Sequence, residues 1–153
     1  MQPSRRDPYS YRDDPAIKAF DDSRIVLVMD GNCAICSGAA RRIARFDKND
    51  AVRITTAQGQ LGAALLRHYG FNPDDPASWL MLAEGNAFGS LDAMLRLGRR
   101  LHPGFLIFAP LRLIPLRLQD WLYARLARNR YALFGHDDLC AMPDGALRHR
   151  LIE

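Results

Sequence analysis

The sequence predicts an α/β fold built on a mixed four-stranded sheet flanked by helices. A short apolar run at residues 25–29 indicates a buried strand, and helical periodicity begins directly after it. Strand-like and helix-like segments then alternate until a tight hairpin near residues 84–86. The predicted order is β-α-β-α-β-β-α followed by further helices. Strands joined through a helix pair in parallel and a hairpin adds antiparallel strands, so the sheet is mixed.

The first half of the chain contains two strands and two helices. Residues 25–29 form a continuous apolar run, which is typical of a strand buried on both faces. Residues 51–55 alternate as a second strand, and residues 58–69 predict a helix that stops at Gly70. The helix between the strands covers residues 34–47. Its predicted inner face consists of Ile35, Ala39, Ile43 and Phe46.

The second half adds a hairpin and the remaining helices. Residues 79–83 predict the third strand, and a short fourth strand lies near Ala87 and Phe88. Ser90 is the predicted cap of a helix over residues 91–101, and a Pro-interrupted helical region follows. The predicted inner residues of the first of these helices are Leu91, Met94, Leu95 and Leu101. In the later region an apolar stripe is formed by Leu118, Trp121, Leu122 and Leu126, and both tryptophans, Trp79 and Trp121, are interpreted as core residues.

The length and composition fit one domain. The chain has 153 residues, of which 48% are hydrophobic, enough to build a core. We predict a flexible N-terminal lead-in over residues 1–22, because this segment is polar and punctuated by prolines. The domain itself is predicted over residues 23–143, with a polar tail over residues 144–153.

Several function classes are disfavoured by charge and hydropathy. The net charge of +4 comes from arginines scattered through helices without interleaved aromatic residues, so we expect no nucleic-acid partner. The apolar segment 104–122 is interrupted by arginines and prolines, which argues against a transmembrane helix. A packed helical hairpin is the preferred interpretation of that segment, and peripheral contact with a membrane surface is the alternative. We see no secretory signal, so the expected location is cytoplasmic.

Cys33 and Cys36 are the candidate reactive residues. They are separated by two residues at the predicted start of a helix, directly after a buried strand. Backbone amides at a helix N-terminus stabilise a thiolate, which is the attacking species in disulfide exchange. One helical turn brings the second thiol back to the first, where it can resolve a mixed disulfide. We therefore predict Cys33 as the more exposed nucleophile and Cys36 as the buried resolving thiol.

Asp30, three residues before Cys33, is the third candidate catalytic residue. Its carboxylate could exchange a proton with a cysteine, whereas Asp-Gly is equally typical of a turn that binds its own backbone. The main alternative chemistry is a zinc or iron–sulfur site. For zinc, the soft ligands would be Cys33, Cys36, His136 and Cys140. The other histidines, His68, His102 and His149, are interpreted as surface or packing residues.

Three stretches resemble the DCC-family thiol-disulfide oxidoreductase-like proteins. They are MDGNCAICSGAARRIARFD, GNAFGSLDAMLRL and, near the C-terminus, LRLIPLRLQDWLYARLARNRYALFGHDDLC. The resemblance covers residues 24–143 and implies a thioredoxin-like fold and a dithiol oxidoreductase role. By position, Asp30, Cys33 and Cys36 match the first motif and Cys140 matches the terminal cysteine.

Two functional hypotheses follow. The leading one is a thiol-disulfide oxidoreductase that needs no cofactor and acts on a disulfide-containing protein or small molecule, with an electron donor left open. The other is a non-catalytic binding or adaptor module that senses redox state or binds zinc. Thioredoxins complete their site with a cis-proline, but here Ser78 precedes Trp79 and Pro76 is the nearest proline. Cys140 is either a third exchanging thiol or, as we favour, a small apolar anchor.

Overall fold

A computed structural model describes residues 2–74, 79–135 and 145–152. Within these ranges the strands are β1 (Ile25–Met29), β2 (Val52–Thr56), β3 (Leu80–Ala83) and β4 (Asn86–Gly89). The α-helices are α1 (Ala34–Phe46), α2 (Gln60–His68), α3 (Ser90–Leu101), α4 (Leu116–Phe134) and α5 (Gly145–Arg148). A first 3₁₀ helix covers Ser10–Asp13 and a second covers Pro103–Leu113. The predicted Cys140, His136, Pro76 and Ser78 lie outside the described residues.

The sheet has the predicted mixed topology, with strand order β2-β1-β3-β4. β1 pairs with β2 in parallel, since α1 joins them and returns the chain to the same edge. β3 runs antiparallel to β1, and β4 runs antiparallel to β3 through a tight turn. Leu27, at the centre of β1, lies opposite Ile54 on one side and Met81 on the other. Together with helices on both faces, this confirms the thioredoxin-like α/β fold.

Each face of the sheet has its own apolar core, because successive side chains of a strand point to opposite faces. Leu27 and Met29 face α1 and α3, while Val26 and Val28 face α2. At Gly62, α2 lies so close to β2 that an added Cβ would be 2.0 Å from the Thr56 carbonyl oxygen. Only glycine fits this contact without displacing the backbone, so Gly62 sets how closely α2 packs on the sheet.

The N-terminal segment, predicted as a flexible lead-in, packs against the α2 side of the sheet. Tyr11 is buried there, stacks on Phe20 with ring centroids 5.5 Å apart, and donates to Asp22 at 2.8 Å. Sequence reasoning assigned no partner to His68, but its Nδ1 lies 2.7 Å from Asp14 and its Nε2 lies 3.1 Å from Ser10. These contacts fasten the segment to the end of α2.

The C-terminal segment, predicted as a polar tail, also contacts the core. Leu147 is fully buried, and Leu151 forms an isolated parallel bridge with Ile54 at the outer edge of β2. Arg150 is buried beside Asp47, donating to its carboxylate at 3.3 Å and to its backbone carbonyl at 2.7 Å. A buried, doubly bonded arginine explains why this polar sequence stays with the domain.

In each of two helices one residue of the predicted inner face is exposed. In α1, Ile43 is buried and Ile35 and Ala39 pack against the core as predicted, whereas Phe46 is exposed. In α3, Leu95 is buried as predicted, but Met94 is exposed. Their buried faces are set by contact with the sheet, with each other and with neighbouring helices, rather than by the most apolar spacing alone.

α3 begins at Ser90, one residue before the predicted start, and Gly89 holds the N-cap position for which Ser90 was predicted. Ser90 is buried with a φ of 52°. The helix follows β4 without an intervening loop.

The predicted apolar stripe of α4 lies on the outside. Leu118, Trp121, Leu122 and Leu126 are all exposed, so the assignment of Trp121 to the core is wrong, while Trp79 is buried as predicted. Across the described ranges, the chain contains no helix both long and apolar enough to span a membrane.

Candidate active site

The two cysteines lie where β1 passes into α1. Cys33 is the N-cap residue of α1, with φ −104° and ψ 120°, and its carbonyl accepts from the Ser37 amide at 2.9 Å. Cys36 follows in the first turn of the helix. Both are free thiols within the apolar core that joins α1 to the sheet. The structure therefore places both predicted cysteines at one helix start.

Cys33 is not the more exposed thiol, and that prediction is wrong. Cys33 has 0% exposure and Cys36 has 5%, and it is Cys36 that lines a cavity. The N-cap conformation turns the Cys33 side chain into the core rather than toward solvent. The end of α4 also approaches this point, with the Gly135 carbonyl 3.5 Å from the Ala34 amide.

Cys36 is held as a thiol by its surroundings. Burial is the largest cause that raises its pKa, to about 12, and the neighbouring Cys33 and the charge of Asp30 raise it further. The indole Nε1 of Trp79 donates to the Cys36 sulfur at 3.4 Å and opposes this shift, because it stabilises the thiolate. At neutral pH the balance favours the protonated form of Cys36.

Asp30 ends β1 in a buried position. One carboxylate oxygen accepts from the Asn32 amide and from the Gln58 side chain, each at 3.0 Å. Gln58 in turn accepts from the Gly31 amide at 3.0 Å. The Asn32 contact is the turn interaction that Asp-Gly predicts. The same carboxylate also lines the cavity beside Cys36, so the turn role and proximity to the thiol coexist.

The cavity beside Cys36 has a volume of about 220 Å³ and mainly apolar walls. Its lining includes Cys36, Asp30 and Trp79 from the sheet and α1 side, together with Tyr123 and Leu126 of α4. The Trp79 amide donates to the Tyr123 hydroxyl at 3.4 Å, which links α4 to the start of β3.

The residues described by the structure contain no group of three or more His, Cys, Asp or Glu that could hold a metal. The zinc alternative is not tested by this, because His136 and Cys140 lie outside the described residues. The same is true of Cys140 as a third thiol and of Pro76 as the candidate cis-proline.

Sequence reasoning missed three residues of the site: Trp79 as a thiol partner, Gln58 and Tyr123. Trp79 was assigned only to the core, although its position at the start of β3 gave a usable signal. β3 pairs with β1, so the start of β3 lies beside the end of β1 and the cysteines. Gln58 and Tyr123 carry no local pattern that points to the site.

Comparison with known proteins bears on this geometry. Residues 27–136 match the family described as DCC1-like thiol-disulfide oxidoreductase, which is well over half of the chain. The chain belongs to this DCC family. The matched range includes both cysteines, Asp30 and Trp79, and its family description names redox chemistry at thiols.

Two relatives extend the similarity over most of the chain. A chloroplastic DCC family protein of Arabidopsis thaliana is 30% identical over 140 residues, covering 90% of this chain and 81% of the relative. The uncharacterized protein YuxK of Bacillus subtilis strain 168 is 28% identical over 127 residues, covering 83% of this chain and 93% of the relative. No solved structure matches the chain.

Proposed function

We propose that this protein is a thiol-disulfide oxidoreductase in which Cys33 attacks a substrate disulfide and Cys36 resolves the mixed disulfide. The observation that carries the proposal is the placement of two free thiols at one helix start, one of them held protonated beside a cavity. Membership of the DCC family supports the same class of chemistry.

Exposure and chemistry favour different thiols for the first attack. Cys36 lines the cavity, but a thiol with a pKa of about 12 is ionised in only about one molecule in 10⁵ at pH 7. Such a small thiolate fraction outweighs the advantage of access. Cys33 occupies the N-cap position of α1, one helical turn from Cys36. We therefore assign the first attack to Cys33, with movement of the residues that cover it as a requirement.

The reaction balances as an exchange of disulfides. The Cys33 thiolate forms a bond to one sulfur of the substrate disulfide, and the other substrate sulfur leaves as a thiolate that takes up a proton. Cys36 then loses its proton and attacks the Cys33 sulfur, which releases the second substrate thiol and leaves a Cys33–Cys36 disulfide. An external thiol reductant restores the dithiol. The substrate class is a disulfide-containing protein or small molecule.

Asp30 is the proposed proton acceptor for Cys36 in the resolving step. It lines the same cavity, and its charge contributes to the raised pKa of the Cys36 thiol. A carboxylate near a thiol that must ionise can accept its proton directly or through one water. Trp79 would stabilise the sulfur as it becomes negative, through its Nε1 hydrogen bond.

The location stays a prediction. The Arabidopsis relative is named as chloroplastic, while the cytoplasm is our expectation for this chain. Both compartments contain thiol reductants, so the proposed chemistry fits either.

Turnover of a small disulfide in the presence of a thiol reductant tests the proposal. We expect Cys33→Ser to abolish turnover, and Cys36→Ser to accumulate a mixed disulfide on Cys33 that mass spectrometry detects. The matched control is Cys140→Ser, which we expect to retain turnover. Equal background rates in wild type and Cys33→Ser, with the Cys33–Cys36 disulfide able to form, would instead favour the adaptor function.

Asp30→Asn tests the proton-transfer role separately. We expect slower release of the mixed disulfide at pH 7 and a lower Cys36 pKa, since a negative charge beside the thiol is removed. The amide can still accept from the Asn32 backbone, so the turn is preserved. A folded variant with unchanged exchange rate and unchanged thiol pKa would reject the role.

A further inference from the structure

The outer side of the helical region exposes an unusual amount of apolar surface. We call it the outer helical face and define it by Leu106, Ile107, Leu113, Leu118, Trp121 and Leu122, from the second 3₁₀ helix and α4. Each is at least about half exposed, with Ile107 at 77% and Leu113 at 86%. Large apolar side chains left exposed in two successive elements are a feature typical of an interaction surface.

The same region carries the net charge of the protein. Residues 103–135 contain five arginines and one acidic residue, Asp120, which gives a charge of +4. The whole chain also has a net charge of +4, so the remainder of the chain is neutral. The apolar exposure and the positive charge therefore coincide in one segment.

We propose that the outer helical face docks on the surface of an anionic membrane. Apolar side chains buried at the headgroup boundary and cations facing anionic lipids are the two contributions that hold a protein at that surface. The partner is thus a lipid surface with negative headgroups.

The arrangement of residues on α4 suits the headgroup layer. Arg125 is one turn from both Trp121 and Leu122, and Arg117 directly precedes Leu118; all of these side chains are exposed. Arginine can bury its aliphatic stem while its guanidinium reaches phosphate, and tryptophan is enriched at the membrane–water interface. Apolar and basic side chains mixed on one face can therefore be satisfied together at this depth.

A second copy of the chain fits this face less well. A symmetric dimer through the outer helical face would bring together two segments of formal charge +4, and like charges across an interface oppose association. An anionic surface instead attracts exposed cations such as Arg117 and Arg125. The proposal does not depend on the cysteine chemistry, and either can fail without the other.

Trp121 provides a direct reporter, because it is 56% exposed while Trp79 is buried. The full-length Trp79→Phe variant has Trp121 as its one tryptophan. We expect its emission to shift to shorter wavelength with vesicles of 70% phosphatidylcholine and 30% phosphatidylglycerol, but not with pure phosphatidylcholine. Co-sedimentation of the wild-type protein with the same vesicles gives the affinity without relying on the variant's fold.

Variants that remove positive charge test whether the outer helical face is the part of the protein that contacts the membrane. Arg117→Gln combined with Arg125→Gln should weaken binding roughly 30-fold, at about fivefold per arginine. The matched control is Arg5→Gln with Arg67→Gln, which removes the same charge from exposed positions outside residues 103–135 and should change binding by less than about threefold. Ile107→Ser with Leu113→Ser should weaken binding while leaving its salt dependence in place.

Three results would overturn the proposal. The first is that the wild-type protein does not bind anionic vesicles. The second is that the two double-arginine variants lose vesicle affinity to the same extent. The third is a dimer that forms without lipid as protein concentration rises, measured by analytical ultracentrifugation. For this result to overturn the proposal, dimer formation must also shift Trp121 emission to shorter wavelength.

Discussion

The sheet with its covering helices and the outer helical face are both rich in apolar residues, yet they have opposite surroundings. Every residue of β1 is buried, whereas Leu106, Ile107 and Leu113 in the second 3₁₀ helix are exposed. β1 is paired on both edges and covered on both faces. The second 3₁₀ helix and α4 instead leave several large apolar side chains exposed. Hydropathy therefore indicates which residues favour burial, but a packing partner decides which are buried.

The largest expected effect is on the reactivity of Cys36, which lies in the buried region. With a pKa of about 12, Cys36 in the folded protein should react with iodoacetamide at pH 7 roughly three orders of magnitude more slowly than a free thiol of pKa about 8.5. The rate should rise about tenfold per pH unit up to pH 10, since each unit multiplies the thiolate fraction by ten.

The measurement uses the Cys33→Ser/Cys140→Ser variant, in which Cys36 is the one remaining cysteine, with N-acetylcysteine as reference and mass spectrometry as readout. Burial, the largest cause of the shift, is retained in that variant. Alkylation at pH 7 as fast as the reference, in a protein that circular dichroism shows to be folded, would contradict the assignment of Cys36 as the protonated thiol.

The same leucine truncation in the two regions gives the next largest contrast. Leu27→Ala should lower the free energy of unfolding by about 2–5 kcal/mol, because a fully buried side chain leaves a cavity between the two neighbouring strands and α1. Leu113→Ala removes the same atoms from an exposed site and should change it by less than about 0.5 kcal/mol. Urea unfolding of both variants checks this. A cost above 1 kcal/mol for Leu113→Ala would show that the outer helical face is covered in the free protein.

Two arginines give a smaller contrast of the same kind. Arg150 is buried and pairs with Asp47, whose carboxylate also accepts from the Ala51 and Val52 amides. Arg150→Ala should cost about 3 kcal/mol, because it removes the guanidinium that pairs with this buried carboxylate. Arg125→Ala removes an exposed cation and should be nearly neutral. Urea unfolding again provides the measurement, with Arg150→Lys as a control that keeps the charge but loses the second donor. If Arg150→Ala lowered the free energy of unfolding as little as Arg125→Ala, the C-terminal segment would contribute little to the stability of the fold.

Local sequence patterns predicted the elements of this fold well. The bounds of β1 were predicted to the residue, and the other strands and helices of the sheet domain agree within about three residues. These features depend on backbone periodicity over a few residues, which a single sequence displays. The predictions that failed concern burial. Trp121, Phe46 and Met94 were predicted to lie inside because of the helical spacing of apolar residues, but they are exposed. Each depends on whether another element packs above it, which no local pattern records.

The candidate site likewise has some features that the sequence predicted and others that it did not. The spacing of Cys33 and Cys36 after a strand predicted a thiol pair at a helix start, and that is where the structure has it. The prediction that Cys33 is the more exposed thiol was wrong, because the direction of a side chain at an N-cap depends on how the helix packs on the sheet. The Trp79 and Gln58 contacts were missed because they join residues 43 and 28 positions apart.

The sequence by itself determined the order of strands and helices, the position of the cysteine pair and the concentration of positive charge in residues 103–135. Tertiary structure alone decided the depth at which each thiol lies, the Trp79 contact that opposes the raised pKa of Cys36, and the exposure of the apolar side of α4. The physical reason is range: backbone periodicity and charge are properties of neighbours along the chain, whereas burial and thiol ionisation depend on residues brought together only by folding.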